Sequence, residues 1–100
     1  MSILKISSGR GEVYSDGGSL LYYVGGFDVV DGDINNNDLV VLTKRNGNVE
    51  VYNSTGNLRN YVATGETAVS ARWAGDNIVV RCANGKTILY SSFGSLLRYI

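Results

Sequence analysis

The chain has no histidine, no proline and a single cysteine among its 100 residues. Without histidine the usual general base is missing, and neither a Cys–His nor a Ser–His pair is available for nucleophilic catalysis. One cysteine makes no internal disulfide, so the fold calls for no oxidising compartment. Cys82, between Arg81 and Ala83 in an apolar stretch, reads as a packing residue. Charge of one sign is also missing: nine Lys and Arg balance nine Asp and Glu. That balance argues against nucleic acid or an anionic membrane surface as a partner. No apolar run reaches the roughly 18 residues that a bilayer-spanning helix needs. The opening MSILKISSGR lacks the apolar stretch of about 7–15 residues found in signal peptides, so a cytoplasmic or virion-associated location is expected. Helical periodicity is absent too, with no window of about 11 residues apolar at every third and fourth position. What these absences leave is one short all-β domain with a thin core, and no expectation of an enzyme.

What is present is glycine and tyrosine, 13 and 7 residues, placed in register. Tyr14, Tyr52 and Tyr90 are spaced by 38 residues, and so are Gly9, Gly47 and Gly85. Gly18, Gly56 and Gly94, then Leu20, Leu58 and Leu96, then Tyr23, Tyr61 and Tyr99 keep the same offset. A period between about 20 and 50 residues marks a repeat architecture. The units run approximately over 1–26, 27–65 and 66–100.

Each unit divides alike. Val40 to Thr43, matched by Ser2 to Lys5 and Ile78 to Arg81, is a short apolar strand. Asn46-Gly47 and Asn84-Gly85 then signal tight hairpins, because both residue types tolerate positive φ. The first unit has the looser-looking Ser8-Gly9-Arg10-Gly11 in that place. A second strand (VEVY at 49–52) and a second glycine turn lead to a third strand, Leu58 to Val62. A fourth strand lies between units, at Phe27 to Ile34 and Thr67 to Trp73. The count is eleven strands: three triplets and two fourth strands. Tyr14, Tyr52 and Tyr90, and Tyr23, Tyr61 and Tyr99, are expected between the sheets, as is Leu58; Val13, Val51 and Leu89 are expected in the core on the opposite face.

Four antiparallel strands every 38 residues is the pattern of a β-propeller blade. The order AVSARWAGDN, IVVRCANGK, TILYSSFGS, LLRYI resembles a propeller repeat of the WD or quinoprotein type. The Gly-His and Trp-Asp dipeptides of the WD families are missing, and Asn60 or Tyr61 stands where quinoprotein repeats carry an outer-strand Trp. The resemblance implies three nearly complete blades per chain. Propellers close with about four to eight blades, so a ring completed by homo-oligomerisation is expected, a homodimer first and a homotrimer next. The alternative is a single-chain threefold β-prism or trefoil. Asn46-Gly47-Asn48-Val49-Glu50-Val51-Tyr52 resembles the sugar motif of bulb-type mannose lectins, Gln-x-Asp-x-Asn-x-Val-x-Tyr. That likeness implies a glycan partner held by Asn46, Asn48 and Tyr52, although Lys44 replaces the Gln and Glu50 the Val.

Other candidate sites are local. Asp33, Asn35, Asn37 and Asp38 resemble the calcium loops of integrin-type propeller repeats. Calcium is therefore the one cofactor considered; it needs about six to eight oxygens. The competing reading is an Asx-rich hairpin that caps its own backbone. Asp28, Asp31 and Asp33 form an acidic patch opposite Arg72 and Glu66 of the next unit, and opposite charges there set register or pair between blades. Trp73 serves as core or as an exposed anchor for a protein partner. Asp76, in the turn before the next strand, is a candidate contact residue, and Asn53-Ser54-Thr55 reads as a turn rather than a glycosylation site. The functional expectation is a non-enzymatic structural or protein-interaction module, with carbohydrate binding as the alternative.

Overall fold

Glycine-bearing turns reverse the chain at short intervals, and the computed structural model describes residues 2–64 and 67–100. Gly65 and Glu66, named above for the unit boundary and the acidic patch, lie outside the described residues. Eleven strands form three antiparallel sheets. The first sheet holds β1 (Ile3–Ser7), β2 (Arg10–Tyr14) and β3 (Leu20–Val24). The second holds β4 (Val29–Ile34), β5 (Val40–Lys44), β6 (Val49–Tyr52) and β7 (Leu58–Ala63). The third holds β8 (Ala68–Ala74), β9 (Asn77–Cys82), β10 (Thr87–Ser91) and β11 (Leu96–Tyr99). In each sheet the strands lie side by side in chain order, as in a propeller blade.

Two seams hold the sheets together. Alternation sends Val40, Leu42 and Tyr52 of the second sheet toward Val13 and Val24 of the first. The opposite side chains, Val41, Val49 and Val51, pack on Ile78, Val80, Ile88 and Tyr90 of the third. Among the described residues the buried core falls into these two clusters. A threefold prism or trefoil would need a third seam, between the first and third sheets. The sheets instead stack in chain order as an arc with extents of 38 × 26 × 19 Å.

The repeat is less uniform than the spacing suggests. In the second and third sheets the first hairpin closes around three residues, with Lys44 N–H donating to Asn48 O and Cys82 N–H to Lys86 O. In the first sheet, Ser7 pairs with Arg10 across only two residues, Ser8 (φ 52) and Gly9 (φ 78). Both sit in the left-handed region, as the tightest hairpin turn requires. The turn that looked loosest is thus the shortest. It shifts β1 by one position, so Leu4 and Ile6 take the places of Val41 and Thr43 and face the second sheet.

The outer strands also differ from expectation. Leu58 is 45% exposed and Tyr61 51%, and their counterparts Leu20, Leu96, Tyr23 and Tyr99 are similarly open. These columns line the rim instead of packing between sheets. Two of the three rings have a cation nearby: Arg10 lies 3.8 Å from the Tyr23 centroid and Lys86 5.7 Å from that of Tyr99.

Candidate functional site

The seams repeat one construction, and the ends of the arc expose its halves. In the second sheet, Glu50 and Tyr52 point toward the first sheet; Tyr52 is 8% exposed and its hydroxyl donates to Glu50 Oε1 at 2.5 Å. Burial, and then the bond to Glu50, push the Tyr52 phenol well above its ordinary range. The first sheet carries the same pair, Tyr14 donating to Glu12 Oε1 at 2.8 Å. There the bond to Glu12 leads the upward shift of the phenol, because no sheet covers that face. At the other end, Val79 and Leu89 lie side by side on β9 and β10, in the columns of Val41 and Val51. Val41 and Val51 are fully buried, whereas Val79 and Leu89 are only half-buried.

The rim turns tell the same story through three equivalent glycines, each at positive φ. A Cβ on Gly94 would stand 2.7 Å from Tyr61 O of the second sheet, and one on Gly56 would stand 2.8 Å from the Tyr22 ring of the first. A Cβ on Gly18 would meet nothing within 4 Å. The second and third rim turns each pack on the outer strand of the sheet before them, and among the described residues the first meets no such strand. Polar contacts accompany this packing: Arg59 and Asn60 both donate to Ser92 O, at 2.7 and 3.0 Å.

On the opposite side, main-chain groups staple adjacent sheets. Val29 N–H donates to Gly9 O at 2.9 Å while Asp28 O accepts from Arg45 N–H at 2.8 Å. One unit on, Ala68 N–H donates to Gly47 O at 3.4 Å and Thr67 O accepts from Ala83 N–H at 2.8 Å. The segment leading into each inner strand therefore grips the hairpin turns of two successive sheets. Lys44 Nζ adds bonds to Gly25 O and Phe27 O at the first seam, at 2.5 and 2.6 Å.

The residues singled out from the sequence are dispersed by this arrangement. Asp33 accepts from Ile34 N–H and from Trp73 N–H, the latter at 2.9 Å, so it bridges β4 to β8. Asn35 Oδ1 accepts from Asn37 N–H and Leu39 N–H within its own turn. Asp38, at φ 61, accepts from Ser2 N–H. Three of the four calcium candidates thus serve backbone donors on different segments. Among the described residues no group of three or more His, Cys, Asp or Glu stands close enough to hold a metal ion. The acidic patch pairs across the second seam as charge predicts: Asp31 accepts from Arg72, and that bond holds the guanidinium's pKa up.

Asn46 is exposed; its Oδ1 accepts from Asn48 N–H at 3.0 Å, and it lines a cleft of about 210 Å³ between the second hairpin turn and the lead-in to β8. Tyr52, central to the lectin motif, is not beside them on the surface but inside the first seam. Trp73 is half-buried against the second core cluster, with its Nε1 enclosed and without a hydrogen-bond partner. Asp76 is exposed on the turn between β8 and β9. Sequence reasoning missed the staples and the glycine contacts. The staples use main-chain atoms and leave no side-chain signature; the glycine columns were visible, but only as turn formers.

The fold is shared with solved β-propellers. The chain is similar to BamB from Moraxella catarrhalis, at 18% identity and a TM-score of 0.77 over 98% of this chain and 32% of that one. It is also similar to Sqt1 of Saccharomyces cerevisiae, a WD40 propeller, at 15% identity and a TM-score of 0.75, covering 98% of this chain and 29% of that one. A protein of unknown function from Bacteroides caccae matches at 16% identity with a TM-score of 0.66, covering 99% of this chain and 41% of that one. The chain spans about a third of the length of these structures. No family model matches the chain, and no curated protein sequence resembles it.

Proposed function

We propose that the chain is a non-catalytic protein-interaction module, an arc of propeller blades that closes head to tail with copies of itself. The observation that carries this is the repeat equivalence of the two open faces. The face with Glu12 and Tyr14 reproduces the half-seam of Glu50 and Tyr52; the face with Val79 and Leu89 reproduces that of Val41 and Val51. Stacking one on the other rebuilds a seam already present twice in the chain. Exposed sheet faces of this kind mark interaction surfaces. Two copies give a six-bladed ring, inside the usual range of about four to eight. Closure by rotation is the head-to-tail solution for a heterologous interface. The likeness to propellers supports the module reading, since that fold commonly presents loops of a rigid ring to other proteins.

Charge agrees with self-closure. Arg98 stands in the column of Asn60, which donates to Ser92 O across the second seam, and Asp16 stands in the column of Ser92. A head-to-tail neighbour brings Arg98 of one copy to Asp16 of the next. The test is solution mass by light scattering at micromolar concentration. Twice the chain mass is expected, Arg98→Glu shifts it toward the monomer, and adding Asp16→Arg restores it. A sharp monomer, or a mass indifferent to both changes, overturns the ring.

A further inference from the structure

The zero net charge conceals two oppositely charged ends. Where the stapled hairpin turns meet the lead-in segments, the chain places Arg10, Lys44, Arg45 and Lys86, against Asp28 and, from the sequence alone, Glu66. The turns at the other end of the strands carry Asp16, Asp38 and Asp76 and, among the described residues, no Lys or Arg. The cleft of about 210 Å³ opens at the basic end, between the second and third sheets. The repeat shows why it is there. Asp28 O accepts from Arg45 N–H and Thr67 O from Ala83 N–H, so Thr67 is the counterpart of Asp28 and Ala83 that of Arg45. At the first seam the two side chains pair across the gap, with Arg45 Nε 3.7 Å from Asp28 Oδ1. At the second seam a threonine and a methyl group stand in their places, and the gap stays open. Thr67, Val69 and Ala83 are exposed and offer the cleft mainly methyl groups. Arg45 borders it too, exposed and in a solvent-open pair with Asp28. Asn46 Oδ1 is engaged by Asn48 N–H, which leaves the amide nitrogen as a donor at the wall. Lys86, also exposed, closes the hairpin that carries Ala83.

We propose that this cleft anchors an acidic, extended segment of a partner protein. One apolar side chain enters between Thr67, Val69 and Ala83, and carboxylates before and after it pair with Arg45 and Lys86. At about 210 Å³ the cleft is smaller than the roughly 300–1,000 Å³ of small-molecule sites and suits a single side chain. The basic turns around it select the sign of the segment, and complementary charge of this kind gives specificity and speed of encounter more than affinity. The surface pair of Arg45 with Asp28 is worth little, so a carboxylate of the partner shares the guanidinium at small cost. The inference rests on the reading of the chain as a protein-interaction module but not on ring closure, because every wall of the cleft belongs to two adjoining sheets of one chain.

The probes are three fluorescent peptides, EEDLEE, EEDGEE and QQNLQQ, titrated with the whole chain at low salt and read by anisotropy. Saturable binding of EEDLEE is expected, and raising the salt to about 0.5 M weakens it. EEDGEE, with no side chain for the cleft, and QQNLQQ, with no charge for its rim, each bind roughly tenfold or more weakly. The first seam supplies the blocking variant. Thr67→Asp together with Ala83→Arg reproduces the pair of Asp28 and Arg45, adds no net charge, and lowers EEDLEE binding to the level of EEDGEE while circular dichroism stays unchanged. Asp76→Asn, at the opposite end of the strands, leaves binding within about threefold. No saturable binding of EEDLEE up to about 1 mM overturns the site. So does EEDGEE or QQNLQQ binding as well as EEDLEE, or a double variant that binds as before. A monomer that binds EEDLEE keeps the site and discards the ring, and a dimer that ignores it does the reverse.

Discussion

The first and second sheets carry the same Glu-x-Tyr pair in different surroundings. Glu50 and Tyr52 are enclosed by a neighbouring sheet, whereas Glu12 and Tyr14 form the same hydrogen bond half-buried, with no sheet over them among the described residues. The third sheet makes the converse comparison, with Leu89 half-buried where Val51 is fully enclosed. The local sequence decides which side chains can form a seam. Only a neighbour decides whether they do. Position in the arc, not residue type, therefore ranks the consequences of substitution.

The largest contrast is expected from a charge placed on each side of the comparison. Val51→Asp buries an unpaired carboxylate in the second seam and unfolds the chain, as seen by loss of a cooperative thermal transition. Leu89→Asp places the same charge on an open face; the chain stays folded, and the change appears as lost self-association. Equal unfolding by both would erase the distinction between seam and end. Next come the three rim glycines. Alanine at any of them meets a left-handed φ, worth about 1–2 kcal/mol. At Gly18 that is the whole cost, whereas at Gly56 and Gly94 the new methyl also strikes the preceding sheet. Urea denaturation should rank Gly94→Ala and Gly56→Ala below Gly18→Ala in stability.

The tyrosine pair sharpens the comparison further. Tyr52→Phe leaves the buried Glu50 without its donor and should cost about 1–3 kcal/mol, whereas Tyr14→Phe should cost clearly less. The sign of the pH dependence follows from the raised Tyr52 pKa. The neutral phenol's contribution is fully present below the unfolded value near 10 and is lost as pH rises through the higher folded value. Ultraviolet titration should therefore show Tyr52 ionising late, together with unfolding, and Tyr52→Phe should shorten that lag. The smallest effect belongs to Arg72→Ala. Its pair with Asp31 joins the second and third sheets but is largely open to solvent, so a loss of about 0–1 kcal/mol is expected in thermal melts.

Much of this fold was legible in the sequence. Spaced glycines and tyrosines gave the unit, Asn-Gly gave two of the hairpins, and alternation gave the opposed faces of Val51 and Tyr52 on β6. Three things were hidden for physical reasons. The turn at Ser8-Gly9 keeps the glycine column yet loses one residue before it, and a one-residue slip reverses every side chain of β1. The leucines and tyrosines of the outer strands recur as core residues would, but they recur because each rim repeats, with apolar bodies lying along it. The acidic and amide residues of 33–38 looked like a ligand set because both metal loops and capped turns need oxygens at close spacing. In the fold those oxygens accept from the N–H groups of Trp73, Leu39 and Ser2, partners that no spacing announces.

The stapling of each lead-in segment between consecutive hairpin turns has an evolutionary corollary. Because the clasp is made by peptide groups, an extra copy of one 38-residue stretch, inserted by tandem duplication, arrives already able to fasten to what stands before and after it. Blade number in such a lineage can change in a single genetic event, with selection left only to tune how the ends meet.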